Sequence, residues 1–357
     1  MAANSSAVIS SHHYSRQLRW FTLTSLVTLF ALLIVTIYLM PFANMLTVSL
    51  RSQTTLSQVK GASLLPLVPV TYNYEGKDYS VYRVPTEAGT KELALVKPAR
   101  TSSQFVDPKD PEAGLIKWQG NWRTLEPVQT LQPRWENYSD AWNMIDFPRL
   151  FFNTLVIALS GVLGTLLSCI CVAYAFARFP IPGKNILFVI LLGTIILPQQ
   201  VTLIPTYIFF SRIGWVGTWL PLIVPHFFAN AYNVFLLRQY FLTLPRELDE
   251  AAMIDGAGPF RILTQVIIPQ SWPAIVAVGI FHFVFAWNDF FAPLIYLLGK
   301  PKLQPISVGV QVFNFQFGPR PELVQATSLM AMVLPLIIFF LAQKFFMRGV
   351  VITGVEK

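Results

Sequence analysis

Six stretches free of Asp, Glu, Lys and Arg divide most of this chain: 20–50, 150–177, 185–211, 213–237, 262–288 and 323–343. A helix crosses the ~30 Å hydrocarbon core of a bilayer in about 20 residues, and every stretch is at least that long. The pattern predicts an all-α polytopic membrane protein with six transmembrane helices. Segment 52–147 breaks it. This segment carries eleven of the eighteen acids, and its apolar residues alternate over Val70–Tyr74 and Tyr79–Val84 around Glu75-Gly76-Lys77-Asp78. Period-two alternation across a polar turn predicts a β-hairpin. Glu92 to Lys97 reads as a third strand, and the later stretch with Trp118 and Trp122 has no clear period. We therefore expect a small β-rich insertion between helices 1 and 2, with its aromatics forming a mini-core in preference to gripping a sugar or a partner.

Composition strengthens the membrane reading. Of 357 residues, 54% are hydrophobic and only 12% charged, with mean hydropathy +0.53. So few charges cannot cover the outside of a water-soluble fold of this size. Disorder requires the opposite balance. The net charge of +8 is spread along the flanks of apolar segments, where it sets membrane orientation rather than a nucleic-acid surface. With the N-terminus inside, Arg16, Arg19, Arg178, Lys184, Arg238, Arg246, Arg261, Lys344, Arg348 and Lys357 are cytoplasmic, against Arg149, Arg212, Lys300, Lys302 and Arg320 outside. Both termini are thus expected in the cytoplasm and the insertion outside it. The first apolar stretch is too long for a signal-peptide core and reads as an uncleaved anchor. The expected segments are a tail at 1–19, a first helix at 20–50, the insertion at 51–147, a five-helix core at 148–347 and a tail at 348–357. Cys169 and Cys171 lie in an apolar run, with no metal-site spacing.

One cytoplasmic loop contradicts the usual basic bias. Between helices four and five, Glu247, Asp249, Glu250 and Asp255 fall within nine residues. Leu244-Pro245 offers a helix start, and acids in a first turn suit the helix dipole. Gly256-Ala257-Gly258 stops that helix, and Pro259 starts another running to about Ile268. The loop 244–270 is therefore expected as two short helices about a glycine turn, with Pro269 and Pro273 bracketing entry to the next span.

The string Glu250-Ala251-Ala252-Met253-Ile254-Asp255-Gly256-Ala257, followed by Val266-Ile267-Ile268-Pro269, resembles the EAA motif of ABC-importer permeases. One departure is Ile268 where the family usually has Leu, a volume-conserving change. Phe152-Asn153-Thr154-Leu155, Ala173-Tyr174-Ala175-Phe176-Ala177-Arg178-Phe179 with Pro182-Gly183-Lys184, Pro198-Gln199-Gln200-Val201, and Trp287-Asn288-Asp289-Phe290 resemble the carbohydrate branch, which includes maltose and glycerol-phosphate permeases. Asp289 stands where that branch often has Glu. The resemblance covers roughly 1–50 and 135–357; the insertion 52–134 lies outside it. It implies a permease subunit of a binding-protein-dependent importer in the bacterial inner membrane. The implied partners are a second permease subunit, a different chain by the expectation of that branch, two cytoplasmic ATPases holding ATP-Mg, an extracytoplasmic solute-binding protein and a sugar. It also implies that Glu250, Ala251, Ala252, Asp255, Gly256, Ala257 and Pro269 couple the chain to the ATPase.

For the solute pathway, polar groups inside apolar stretches are the candidates: Gln199 and Gln200, Asn288 and Asp289, with Trp287 able to stack on a sugar face. Prolines nearby break helices, and broken helices at depth are tolerated where they line a cavity. For any single candidate, a helix–helix hydrogen bond or an interfacial anchor is the favoured reading over a solute contact. His282 reads as a packed or cavity-lining imidazole. The chain has no Gly-x4-Gly-Lys-Ser/Thr and no credible catalytic set, so no enzyme activity and no cofactor of its own is expected. An ion-coupled secondary transporter is the alternative, disfavoured because Asp289 is its one candidate intramembrane carboxylate. An intramembrane enzyme built on His282 and Asp289 is weaker, lacking a nucleophile or metal set.

Overall fold

The computed structural model describes residues 3–53, 65–86, 89–315 and 318–351, with side chains undescribed at 3–19, 199–200 and 344–351. The chain forms two compact units, Met1–Asn137 and Tyr138–Lys357.

The first unit begins with helix α1 (Ala3–Ser49), of which Trp20–Ser49 is apolar and long enough to span a bilayer. The chain then enters eight short strands: β1 (Leu67–Pro69), β2 (Thr71–Tyr74), β3 (Lys77–Thr86), β4 (Gly89–Lys97), β5 (Ser102–Val106), β6 (Ile116–Gln119), β7 (Glu126–Pro127) and β8 (Gln129–Leu131). Strands β2 to β6 run in sequence order as an antiparallel sheet, β7 pairs with β3, and β1 pairs separately with β8. The expected hairpin is present, with Tyr74 opposite Lys77. Glu75 and Gly76 both have positive φ, 52° and 78°, as a two-residue turn matched to strand twist requires. Alternation sorts the apolar side chains onto both faces. Val84, Leu93, Leu95 and Phe105 pack with Tyr82, Ile116, Trp118 and Trp122 on one side. Val81, Ala94 and Val106 pack with Val70, Tyr72, Tyr79 and Val128 on the other. Trp118 also donates from its indole to Pro85 O at 3.1 Å. The aromatics are thus a small core, as their composition predicts. Where the sheet's two connections meet, the Asn137 amide donates to Ser49 O at 2.7 Å and Arg51 O at 2.8 Å.

Helix α2 (Glu136–Met144) carries the chain into the second unit, a helical element inside the segment that alternation marks as β-rich. Helix α3 (Phe147–Arg178) is the hub. Its buried positions recur every three to four residues, from Leu150 through Asn153, Ile157, Gly161, Thr165, Cys169 and Ala173 to Ala177, the stripe of a helix packed along one face. The remaining helices that matter are α4 (Lys184–Gly193), α5 (Gln199–Arg212), α6 (Ala231–Thr243), α7 (Glu247–Ile254), α8 (Trp272–Trp287), α9 (Phe291–Tyr296) and α10 (Pro321–Val351). Helix α3 packs against both α6 and α8.

Four segments are long and apolar enough to cross a bilayer: Trp20–Ser49, Phe147–Arg178, Leu220–Thr243 and Pro321–Gln343. Two more apolar stretches are bent pairs rather than single rods. Lys184–Ile196 and Val201–Arg212 meet at 98°, and Pro259–Gln270 meets Trp272–Trp287 at 82°. The first break falls at Pro198, whose missing N–H and ring oppose a continuous helix. The described residues therefore hold four to six spans.

Small residues let the irregular stretch before α6 lie against the hub. At Gly164 a Cβ would sit 2.6 Å from the Phe227 ring, and at Gly161 3.1 Å from that of His226. Near the other end of α3, the Asn153 amide donates to Lys302 O and Gln304 O, both at 2.9 Å. Thr154 Oγ1 accepts from Ile306 N at 2.9 Å. Two motif residues in the opening of the second span thus hold the loop before α10.

Candidate functional site: a surface loop and an intramembrane cavity

Two features of the second unit present chemistry. The first is loop 244–270. Helix α7 has Glu247, Asp249 and Glu250 in its first turn, where backbone N–H groups and the dipole favour negative charge. It ends at Asp255, and Gly256 takes φ +76°, a left-handed conformation that costs other L residues about 1–2 kcal/mol. The turn is closed by Gly256 N donating to Met253 O at 3.0 Å and Ala257 N to Ala252 O at 2.9 Å. Pro259 opens the second arm (Pro259–Ile262), which continues through a π-helical stretch, Leu263–Ile267, to Ile268–Gln270.

The loop has two faces. Ala252 and Ala257 are half-buried against the cluster of Tyr174, Ala177, Phe241 and Ile262. Glu250, Ala251, Asp255, Gly256 and Pro269 are exposed, together with large apolar side chains: Ile254 is 87% and Phe260 76% accessible. Asp249 turns inward. Its carboxylate lies 2.8 Å from Arg178 Nε, and both side chains are more than nine-tenths buried. Burial pushes the Asp249 carboxyl above the ordinary range, opposed by Arg178 and Arg246.

The second feature is a cavity of about 570 Å³ lined by Thr194, His226, Asn230, Tyr232, Asn233, Phe281, His282 and Phe285, among others. Asn230 caps α6, its side-chain oxygen accepting from Asn233 N at 2.9 Å. Asn233 itself is 4% accessible, and no described residue hydrogen-bonds its amide. The His226 and His282 rings meet edge to face, centroids 4.6 Å apart. His282 Nε2 lies 3.1 Å from Thr165 Oγ1 on α3. Amides, imidazoles and a phenol among aromatic walls are the groups that bind a hydroxylated solute. Among the described residues, the lining includes no Lys or Arg. No group of three or more His, Cys, Asp or Glu that would hold a metal occurs among the described residues.

The residues picked out for the pathway fall in different places. The side chains of Gln199 and Gln200 lie outside the described residues. Trp287 is buried between Phe151 and Phe283, and is not part of the cavity lining. Asn288 is exposed and donates to Val284 O at 2.8 Å. Asp289 faces protein in a narrow recess with Thr154, His226 and Phe285, accepting from Ala292 N at 3.4 Å. His282 does line the cavity. The segment 226–233 went unmarked in the sequence; its signal was two Asn and a His within an otherwise apolar stretch that also contains Pro225.

Known proteins resemble this chain along most of its length. The osmoprotective compounds uptake permease protein GgtD of Synechocystis sp. is 29% identical over 291 residues, covering 80% of this chain and 97% of that protein. The sn-glycerol-3-phosphate transport system permease protein UgpE of Pectobacterium atrosepticum is 32% identical, covering 65% and 85%. The alpha-glucoside transport system permease protein AglG of Rhizobium meliloti is 31% identical, covering 64% and 62%. The fold matches a chain in the crystal structure of a bacterial ABC transporter involved in import of the acidic polysaccharide alginate. There the TM-score is 0.63 at 19% identity, over 93% of this chain and 98% of that one. Residues 164–351, more than half of the chain, match the family described as the binding-protein-dependent transport system inner membrane component. The chain belongs to that family and is a permease subunit of an ABC importer.

Proposed function

We propose that this permease subunit imports an uncharged, hydroxyl-rich solute of the glycoside class, by alternating access driven by a separate ATPase. In this reading the chain crosses the membrane six times, with both termini cytoplasmic and the β-rich insertion extracytoplasmic. The bent pairs each count as one crossing. A second, different permease chain completes the solute cavity, two ATPase subunits dock from the cytoplasm, and a solute-binding protein delivers from outside.

The observation that carries the coupling reading is the outer face of loop 244–270. Met253, Ile254 and Phe260 stand exposed beside Glu250 and Asp255. An apolar patch rimmed by charge marks a protein contact, and Glu250, Met253, Ile254 and Asp255 belong to the motif while Phe260 extends the patch from the second arm. Closure of the ATPases would push this face, and α3, α6 and α8 would carry the motion to the cavity.

The solute class rests on the cavity lining. Asn230, Asn233, Tyr232 and the two imidazoles offer donors and acceptors, while the described lining holds no guanidinium or ammonium to neutralise a phosphate. The wall therefore suits an α-glucoside, as in the name of the AglG relative, better than sn-glycerol 3-phosphate. The test is uptake by vesicles holding the full importer, using labelled α-glucoside and sn-glycerol 3-phosphate. ATP-dependent, ionophore-insensitive uptake of the glycoside is expected. Uptake driven by an ion gradient without ATP would replace this reading with a secondary transporter. A preference for the phosphate ester would overturn the solute class.

A further inference from the structure

The cytoplasmic end of α3 grips loop 244–270 at three points. Arg178 Nη2 donates to Leu244 O at 3.0 Å, just before α7. Arg178 Nε lies 2.8 Å from Asp249 Oδ2, inside α7. One turn earlier, the Tyr174 hydroxyl donates to Pro259 O at 3.3 Å, just after the glycine turn. The last turn of a single helix therefore holds the loop just before α7, within α7 and just after the glycine turn, although 66 to 85 residues separate the partners in sequence.

The pair is poorly explained as a stabiliser. Two charges taken out of water regain little over apolar packing unless every polar atom is satisfied. Here neither Asp249 Oδ1 nor Arg178 Nε makes a hydrogen bond among the described residues, and the 2.8 Å contact is an ion pair. What the pair does supply is direction: Asp249 is the inward member of a helix whose Glu250, Met253 and Ile254 face outward. A push on the outer face thus passes into α3 through a close, buried ion pair. Four turns further along the same helix, Thr165 contacts His282 in the cavity wall, and Gly161 underlies the two imidazoles.

We propose that Arg178 and Asp249 are a positioning pair that fastens the coupling helix α7 to α3, so that ATPase movement turns the cavity wall through α3 and not only through the flanking helices α6 and α8. The proposal rests on the docking reading of loop 244–270 and adds the residue pair through which that loop acts.

The experiment uses the whole importer in vesicles, measuring ATPase co-purification and solute moved per ATP hydrolysed. The variants are Asp249→Asn, Arg178→Asp, Asp249→Arg and the exchanged double variant Arg178→Asp with Asp249→Arg. Asp249→Asn keeps the shape and removes the charge. It is expected to retain the ATPase while solute per ATP falls by about 5- to 150-fold, the usual range of a coupling between sites. The exchanged pair is expected to recover much of what each single reversal loses. Unchanged solute per ATP in Asp249→Asn would overturn the proposal. So would an exchanged pair that assembles but couples no better than the single reversals. Loss of assembly in every variant would show a folding role alone and also overturn it. Failure of the docking reading is separately visible, because no ATPase would then accompany the unmodified chain.

Discussion

Replacing Gly256 isolates one physical quantity, the energy of a left-handed residue in the turn of the coupling loop. Its φ is +76°, and a Cβ built there would meet no atom within 4 Å. A substitution therefore brings backbone strain and no collision within this chain. An L residue loses about 1–2 kcal/mol in that conformation, whereas Asn tolerates it better. In population terms 1–2 kcal/mol is a factor of about 5–30. A turn that relaxes to negative φ re-aims Ala257 and Pro259. It breaks the bond from Ala257 N to Ala252 O and draws Pro259 O away from the Tyr174 hydroxyl. We therefore expect uptake per ATP to fall by about 5–30-fold in Gly256→Ala, further in Gly256→Val, whose β-branch is stiffer, and least in Gly256→Asn. The assay is labelled-solute uptake and ATP hydrolysis in the same vesicles. Native uptake per ATP in Gly256→Val would refute the reasoning. Equal loss in the Asn and Val variants would point to side-chain contact with the docked partner instead of backbone conformation.

Three further outcomes follow from the same geometry. Asn233→Ala removes a cavity amide while leaving the backbone cap from Asn230 intact; half-saturating solute concentration should rise in uptake titrations, with ATPase co-purification unchanged. Leu93, fully buried in the sheet, should lose about 2–5 kcal/mol on replacement by Ala. Limited proteolysis of the whole chain should then cut the insertion faster and leave the spans intact. Deleting 52–134 should lower uptake without reducing the amount of chain in the membrane if the insertion receives the binding protein, and normal uptake would remove that role.

Much of this architecture is legible in the sequence because its causes are local. Charge-free stretches mark the apolar segments, Pro198 marks a break, and Glu75-Gly76 marks a hairpin through its φ requirements. Gly256 is equally local, so the bend of the coupling loop can be read from its neighbours. The second bend is less so. It falls at Ser271, between Pro269 and Pro273, after a π-helical stretch whose residues, Leu263 to Ile267, look like ordinary helix formers.

What could not be read is what depends on contacts between distant segments. Arg178 resembles any basic residue flanking a span until α7 folds back and sets Asp249 against it. Trp287 appeared free to stack on a sugar, yet Phe151 from α3 and Phe283 enclose it. Conversely, Asn230 and Asn233 sit in a stretch whose mean hydropathy, 1.4 against 2.2–2.5 for the other long apolar helices, is still high enough for a span. They gain meaning only when the irregular residues before α6 open a cavity beside His226 and His282. Periodicity reports which way a side chain points within its own element, and not which element stands opposite.

The central claim is that loop 244–270 joins this permease to an ATPase. The most direct measurement is gentle-detergent purification of the chain from its native membrane beside a Glu250→Lys version, with identification of the proteins that accompany each. Glu250 is exposed and bonded to nothing else in its side chain among the described residues, so the reversal leaves the fold intact. An ATPase that accompanies the native chain and is lost from Glu250→Lys is the predicted result. An ATPase retained equally by both would contradict the role of this face, and none with either would contradict the coupling itself.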